Sequence, residues 1–194
     1  QIRVDMSDEK AVELAKKFGA PVIVNSTLRD GSLRLAAHEL DVPVIVFEAG
    51  EALRFDDVAI RVGMNGVLSV LAEVGMLRKR RRKSAAAKSI FVQSSKWLRA
   101  AEGGVLRIRR KVGDQIRKDD LLGIISDPFG ARETEMRAPF EGLIIGQSNL
   151  PIVNQGDALL HVAAISLDSF SDSIIDDMGG TMDGDPILDE DEIL

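Results

Sequence analysis

Residues Val42-Pro-Val-Ile-Val-Phe-Glu48-Ala-Gly50 place a run of apolar side chains directly before a carboxylate. Four consecutive apolar residues, Val44 to Phe47, suit a strand covered on both faces and do not fit one with a solvated side. Such a strand needs layers above and below it, which points to an α/β arrangement. In open α/β sheets, reactive groups gather in the crevice outside the carboxyl ends of the strands. Glu48, followed by alanine and glycine, is placed for chemistry at such an end. The alternative is that it merely caps the following turn or forms a buried ion pair.

The flanking segments supply the layers. Residues 8–18 carry apolar side chains at 11, 12, 14, 15 and 18, the spacing of a helix, with Ser7 or Asp8 to begin it and Gly19 to end it. Residues 21–25 read as a short strand. Residues 30–40 read as a second helix that Ser32 could cap, and 56–75 as a long helix containing glycines. Helix, strand, helix, strand, helix predicts parallel strands. The strands are too few for a whole doubly wound sheet, so the pattern fits the second half of one, over residues 1–77.

From residue 94 the pattern changes to short strands with turn signals, near 103–109, 121–125, 134–138, 142–146 and 158–163. Val112-Gly-Asp-Gln-Ile116 and Asn154-Gln-Gly-Asp157 match as turns, which predicts two quasi-equivalent halves of a small all-β domain over 94–165. Between the two regions, residues 78–93 begin with Arg78-Lys-Arg-Arg-Arg-Lys83 and read as a basic linker. No interleaved aromatics or nucleic-acid-binding motif accompany that run, so a solvated linker is expected and not a nucleic-acid partner.

Charge separates the tail from the body. Residues 165–194 hold 10 acidic and no basic residues, whereas residues 1–164 carry 21 acids and 25 bases. A polar, acidic tail of this kind, 166–194, is expected to be disordered. No run approaches the roughly 18 apolar residues of a membrane span, and no secretory signal is recognisable at Gln1-Ile-Arg-Val. The chain lacks cysteine, which removes thiolate chemistry and fits a cytoplasmic location. Two histidines, His38 and His161, are scarce material for a metal centre. An exposed sheet edge would favour a homo-oligomer.

The β region resembles the biotinyl/lipoyl-like barrel, through Gly104-Val-Leu106, Val112-Gly-Asp-Gln-Ile116, Arg137-Ala-Pro139 and Val153-Asn-Gln-Gly-Asp157. Carriers of that type bear a lysine at the hairpin tip. Here Gly130, Ala131 and Arg132 occupy the region, so the expectation is the barrel without the carrier function.

Across residues 9–164 the chain resembles the C-terminal part of the succinylglutamate desuccinylase/aspartoacylase family, zinc-dependent amide hydrolases related to carboxypeptidases. The resemblance rests on Phe18-Gly-Ala-Pro21, Asp30-Gly-Ser-Leu-Arg34, Pro43 to Gly50, Gly75-Met-Leu77, Asp127-Pro-Phe-Gly130 and Ser148 to Asp157. It implies that Glu48 is the general acid/base working with a zinc-bound water. It also implies that Arg34 (with Arg29 as competitor) grips the carboxylate of a small N-acyl amino acid or amide substrate. The His-x-x-Glu and Asp-Leu-His motifs that bind zinc in the family do not occur here, and neither His38 nor His161 is expected to replace them. The implied activity is that of a deacylase fragment, inactive alone because its zinc ligands lie upstream. The alternative is a non-catalytic scaffold or binding module.

Overall fold

The computed structural model describes residues 1–78 and 89–166. Most of the basic linker and almost all of the acidic tail lie outside the described residues. The described chain divides into two compact units, residues 1–91 and 92–166.

The first unit begins with β1 (Ile2–Val4), α1 (Glu9–Phe18) and β2 (Val22–Asn25). β1 and β2 are parallel, with Ile2 opposite Ile23 and Val4 opposite Asn25. Helix α1 forms where its caps are. The Asp8 carboxylate accepts from the Ala11 N–H at 3.0 Å, and Gly19 takes φ 80° at the other end, donating to the Ala15 carbonyl. Lys16 and Lys17 in its last turn oppose the helix dipole's negative end. Its inner face, Ala11, Ala15 and Phe18, joins Ile2, Val4, Ala20 and Ile23 in a core. The small alanines let the helix approach the sheet, as the 3.6-residue spacing requires.

Then follow α2 (Leu33–Glu39), capped by Ser32, β3 (Val46–Phe47), α3 (Asp57–Glu73), capped by Asp56, and β4 (Ile90–Val92). The sheet order is β3-β1-β2-β4. Here the structure corrects the expected parallel pattern. β3 runs antiparallel to β1, pairing Phe47 with Ile2 and Val46 with Arg3, and it is a two-residue, half-buried edge strand. The chain re-enters from the end at which β2 leaves, so Val46 meets Arg3 before Phe47 meets Ile2. An apolar run fixes that a strand is covered, not the direction in which it is entered.

The second unit contains β5 (Ser95–Arg99), β6 (Gly104–Ile108), β7 (Gln115–Ile116), β8 (Leu121–Ser126), β9 (Glu133–Arg137), β10 (Gly142–Gln147), β11 (Ile152–Val153) and β12 (Ala158–Ala164). They form two four-stranded sheets, β5-β12-β10-β7 and β11-β6-β8-β9. Ile108 and Met136 pack against both buried clusters, one centred on Leu122, Ile144 and Leu160, the other on Leu106, Ile125 and Leu159. The expected barrel does not close. Each sheet ends in a two-residue strand, β7 or β11, and no ladder joins the sheets among the described residues. The two matched turns share one geometry. Asp114 accepts from the Lys111 N–H at 3.0 Å and Asp157 from the Asn154 N–H at 2.7 Å, with Gly113 and Gly156 at φ 96° and 89°.

Candidate functional site

Glu48 leaves β3 at the edge of the first unit's sheet. Its N–H donates to the Gln1 carbonyl at 3.0 Å, extending the antiparallel ladder by one residue. This register sets Glu48 opposite Gln1 and diagonal to Arg3. Residues two apart on a strand share a face, so the side chains of both Gln1 and Arg3 reach it. Arg3 Nε donates to Glu48 Oε2 at 2.7 Å, and Gln1 Nε2 donates to the same oxygen at 2.8 Å. The Glu48 side chain is 44% exposed and that of Arg3 24%. The carboxylate is thus held at Oε2 by two donors and is part-exposed to solvent.

Beside this strand exit lies a concavity of about 310 Å³, lined by Phe47, Ala49, Gly50, Phe55, Ala59 and Gly63 among others. Its space exists because α3 presents small residues there. A Cβ on Gly63 would come 3.1 Å from the Phe47 ring, and one on Gly50 would meet Ala59 at 3.6 Å. Phe47 and Ala49 line the concavity while Glu48, between them in sequence, turns to Arg3.

Arg34 sits elsewhere. Its Nη1 donates to the Ser26 carbonyl at 2.8 Å, and its Nη2 to Ser26 Oγ at 3.0 Å and the Thr27 carbonyl at 3.2 Å. The Ser26 N–H in turn donates to the Val4 carbonyl. Arg34 therefore belongs to the carboxyl ends of β1 and β2, and Glu48 to the amino end of β1. The three residues of β1 separate them by about 10 Å at roughly 3.3 Å per residue. With Arg34 stands Asp5, whose carboxyl is held below the ordinary carboxylate range. The Ser7 hydroxyl is the main cause, followed by the Ser7 N–H; burial opposes the shift, and the positive fields of His38 and Arg34 add to it.

The histidines are apart as well. His38 is exposed on α2. His161 is buried on β12 in the second unit, with Nε2 2.9 Å from Ser95 Oγ and its ring stacked on Trp97 at 4.8 Å. Among the described residues no three histidine, aspartate or glutamate side chains converge as a metal site would require. The described residues by themselves do not fit a zinc ion.

Sequence reasoning does not single out Arg3 and Gln1. The alternation of Ile2-Arg3-Val4 marks Arg3 as facing away from the core, but its partner lies 45 residues on and depends on the direction of β3.

No family model matches the sequence, and no curated protein sequence matches it. Solved structures do share the fold. The ectoine utilization protein EutE (DoeB) from Ruegeria pomeroyi, in its apo form, superposes with a TM-score of 0.76 at 18% identity over 84% of this chain and 55% of its own. A succinylglutamate desuccinylase/aspartoacylase from Rhodobacter sphaeroides gives 0.73 at 20% identity over 88% and 54%. A succinylglutamate desuccinylase from Silicibacter sp. TM1040 gives 0.74 at 18% over 85% and 53%. The chain spans about half the length of each, and its mixed α/β fold of several small sheets is that of the matching part.

Proposed function

We propose that this chain is the C-terminal portion of an amide hydrolase, a deacylase acting on N-acyl amino acids or similar small amides, with Glu48 as its general acid/base. The observation that carries the reading is the Glu48 carboxylate, anchored by Arg3 and Gln1 and part-exposed at a strand exit, on the opposite side of the strand from the concavity that Phe47 and Ala49 line. The fold shared with desuccinylase/aspartoacylase structures supports it.

In this reading Glu48 takes a proton from the attacking water as the water oxygen bonds to the amide carbon. It returns that proton to the leaving nitrogen as the C–N bond breaks, giving a carboxylate and an amine. The zinc implied by the family resemblance would supply Lewis-acid polarisation of the amide carbonyl. The described residues do not fit that ion, so its ligands would come from other residues, and this portion alone would not turn over. The same reading gives Arg34 the substrate carboxylate, which a guanidinium can grip with two parallel hydrogen bonds. Arg34 would then have to exchange Ser26 and Thr27 carbonyls for substrate.

The test is Glu48→Gln in the complete enzyme that contains this chain. Loss of a general acid/base lowers turnover by about 10²–10⁴-fold, with zinc content and thermal unfolding unchanged. Turnover within a few-fold of the unsubstituted enzyme would remove the assignment. The scaffold alternative draws support from one observation, the commitment of the Arg34 guanidinium to the chain's own carbonyls, and it expects no amide hydrolysis from the complete protein with or without Glu48.

A further inference from the structure

We infer that Arg3 is the positioning residue for Glu48, fixing the orientation of its carboxylate at the strand exit and lowering its affinity for a proton. The inference rests on the reading of Glu48 given above, but its central test does not.

Strand register brings the two residues together. Ile2 and Val4 are fully buried, so the pleat of β1 turns Arg3 to the opposite face, together with Gln1. Because β3 is antiparallel, Glu48 lands across from Gln1, and the diagonal neighbour on the same face is Arg3. The guanidinium then meets Glu48 Oε2 through Nε at 2.7 Å, within charge-assisted hydrogen-bond distance. Gln1 Nε2 fixes the same oxygen at 2.8 Å. Two donors converging on Oε2 set the orientation of the carboxylate at the strand exit.

Charge follows from the same contact. A guanidinium brings a fixed positive charge to the pair. An opposite charge at this distance favours the ionised carboxylate by a factor of about ten or more. Solvent exposure of 44% on Glu48 screens the effect to the lower end. A second charged group at Glu48 in the 194-residue chain is the amine of Gln1, which donates to the Glu48 backbone carbonyl at 3.1 Å and is common to the variants titrated in that chain.

The experiment is a carboxyl-carbon NMR titration of Glu48 in the 194-residue chain, with Arg3→Gln and Arg3→Lys variants measured beside it. In Arg3→Gln, Glu48 should bind its proton about tenfold more tightly, the effect of removing one adjacent opposite charge. Arg3→Lys should restore most of the native value, since it keeps the charge while losing the planar donor. An unchanged Glu48 titration in both variants overturns the inference, as does a shift in Arg3→Lys as large as that in Arg3→Gln. A second measurement separates this from the functional reading. In the complete enzyme, Arg3→Gln should move the acid limb of the kcat/KM profile upward by the same factor. A shifted titration with an unmoved acid limb would leave Arg3 in control of Glu48 and remove Glu48 from the reaction.

Discussion

Phe18 of α1 and Gly66 of α3 occupy one space. A Cβ on Gly66 would stand 2.3 Å from Cε1 of Phe18 and 2.4 Å from two further ring atoms. Phe18 is buried and also packs on Phe47, ring centroids 4.9 Å apart. The glycine is therefore what allows α1 and α3 to meet over the residue that precedes Glu48.

Gly66→Ala should destabilise the first unit. Alanine is the better helix former by about 1 kcal/mol, but displacing a buried ring from a packed core costs about 1–3 kcal/mol. A net loss of about 1 kcal/mol is expected in urea unfolding followed by a probe in residues 1–78. A gain in stability would show that the Phe18 ring moves without cost.

Gly142→Ala should harm the second unit more. The added Cβ would meet the Ala163 carbonyl oxygen at 2.2 Å and Val162 Cγ1 at 2.8 Å, across the β10–β12 ladder in which Gly142 pairs with Ala164. Backbone cannot swing aside as a side chain can, so a loss of about 2–3 kcal/mol is expected. Gly75→Ala makes the control. Its Cβ would meet nothing within 4 Å, and only its φ of 82° is unfavourable, a cost of about 1–2 kcal/mol. Equal losses in the two variants, measured by denaturant midpoint, would show that the clash with the Ala163 backbone is relieved without cost.

Arg34→Ala removes three hydrogen bonds from the segment that leaves β2. At roughly 0.5–1.5 kcal/mol net for each bond made, with partial replacement by water, a loss of about 1–2 kcal/mol is expected. Faster amide exchange should appear around residues 26–32. If Arg34 also grips substrate, KM in the complete enzyme rises by about tenfold or more, the loss of a charge-assisted pair. A KM close to native would confine Arg34 to the loop.

Asp5 predicts an acid-sensitive joint at the carboxyl end of β1. Its folded carboxyl titrates below the ordinary range because Ser7 donates to the anion. A lowered folded pKa means the contribution is complete above the unfolded value, about 4, and is lost as pH falls through the folded value. The protection of the Ser7 amide against exchange, relative to an unstructured peptide at the same pH, should therefore fall as pH drops below about 4. Asp5→Asn should abolish that pH dependence. A step persisting in Asp5→Asn would assign it to another group.

Much of the first helix and several turns can be read directly from residue order. Helix α1 is marked at both ends, by Asp8 and Gly19, and its apolar spacing names the core residues Ala11, Ala15 and Phe18. Caps and periodicity are local, so they survive any tertiary arrangement. The turns closed by Asp114 and Asp157 are legible for the same reason. A third of identical form, in which Asp120 accepts from the Arg117 N–H at 3.0 Å, escapes notice. Asp119 takes the positive φ that glycine holds in the other two.

The sequence by itself determined the helices with the caps of the first two, the change from α/β to all-β, and the presence of a carboxylate at the end of an apolar run. Tertiary structure alone decided the direction of β3, and with it which end of the sheet Glu48 occupies and which cation it meets. Strand direction depends on where the chain re-enters the sheet, and here it does so at the end where β2 leaves. The Arg3–Glu48 contact is a product of antiparallel register between segments 45 residues apart, and no local pattern encodes register.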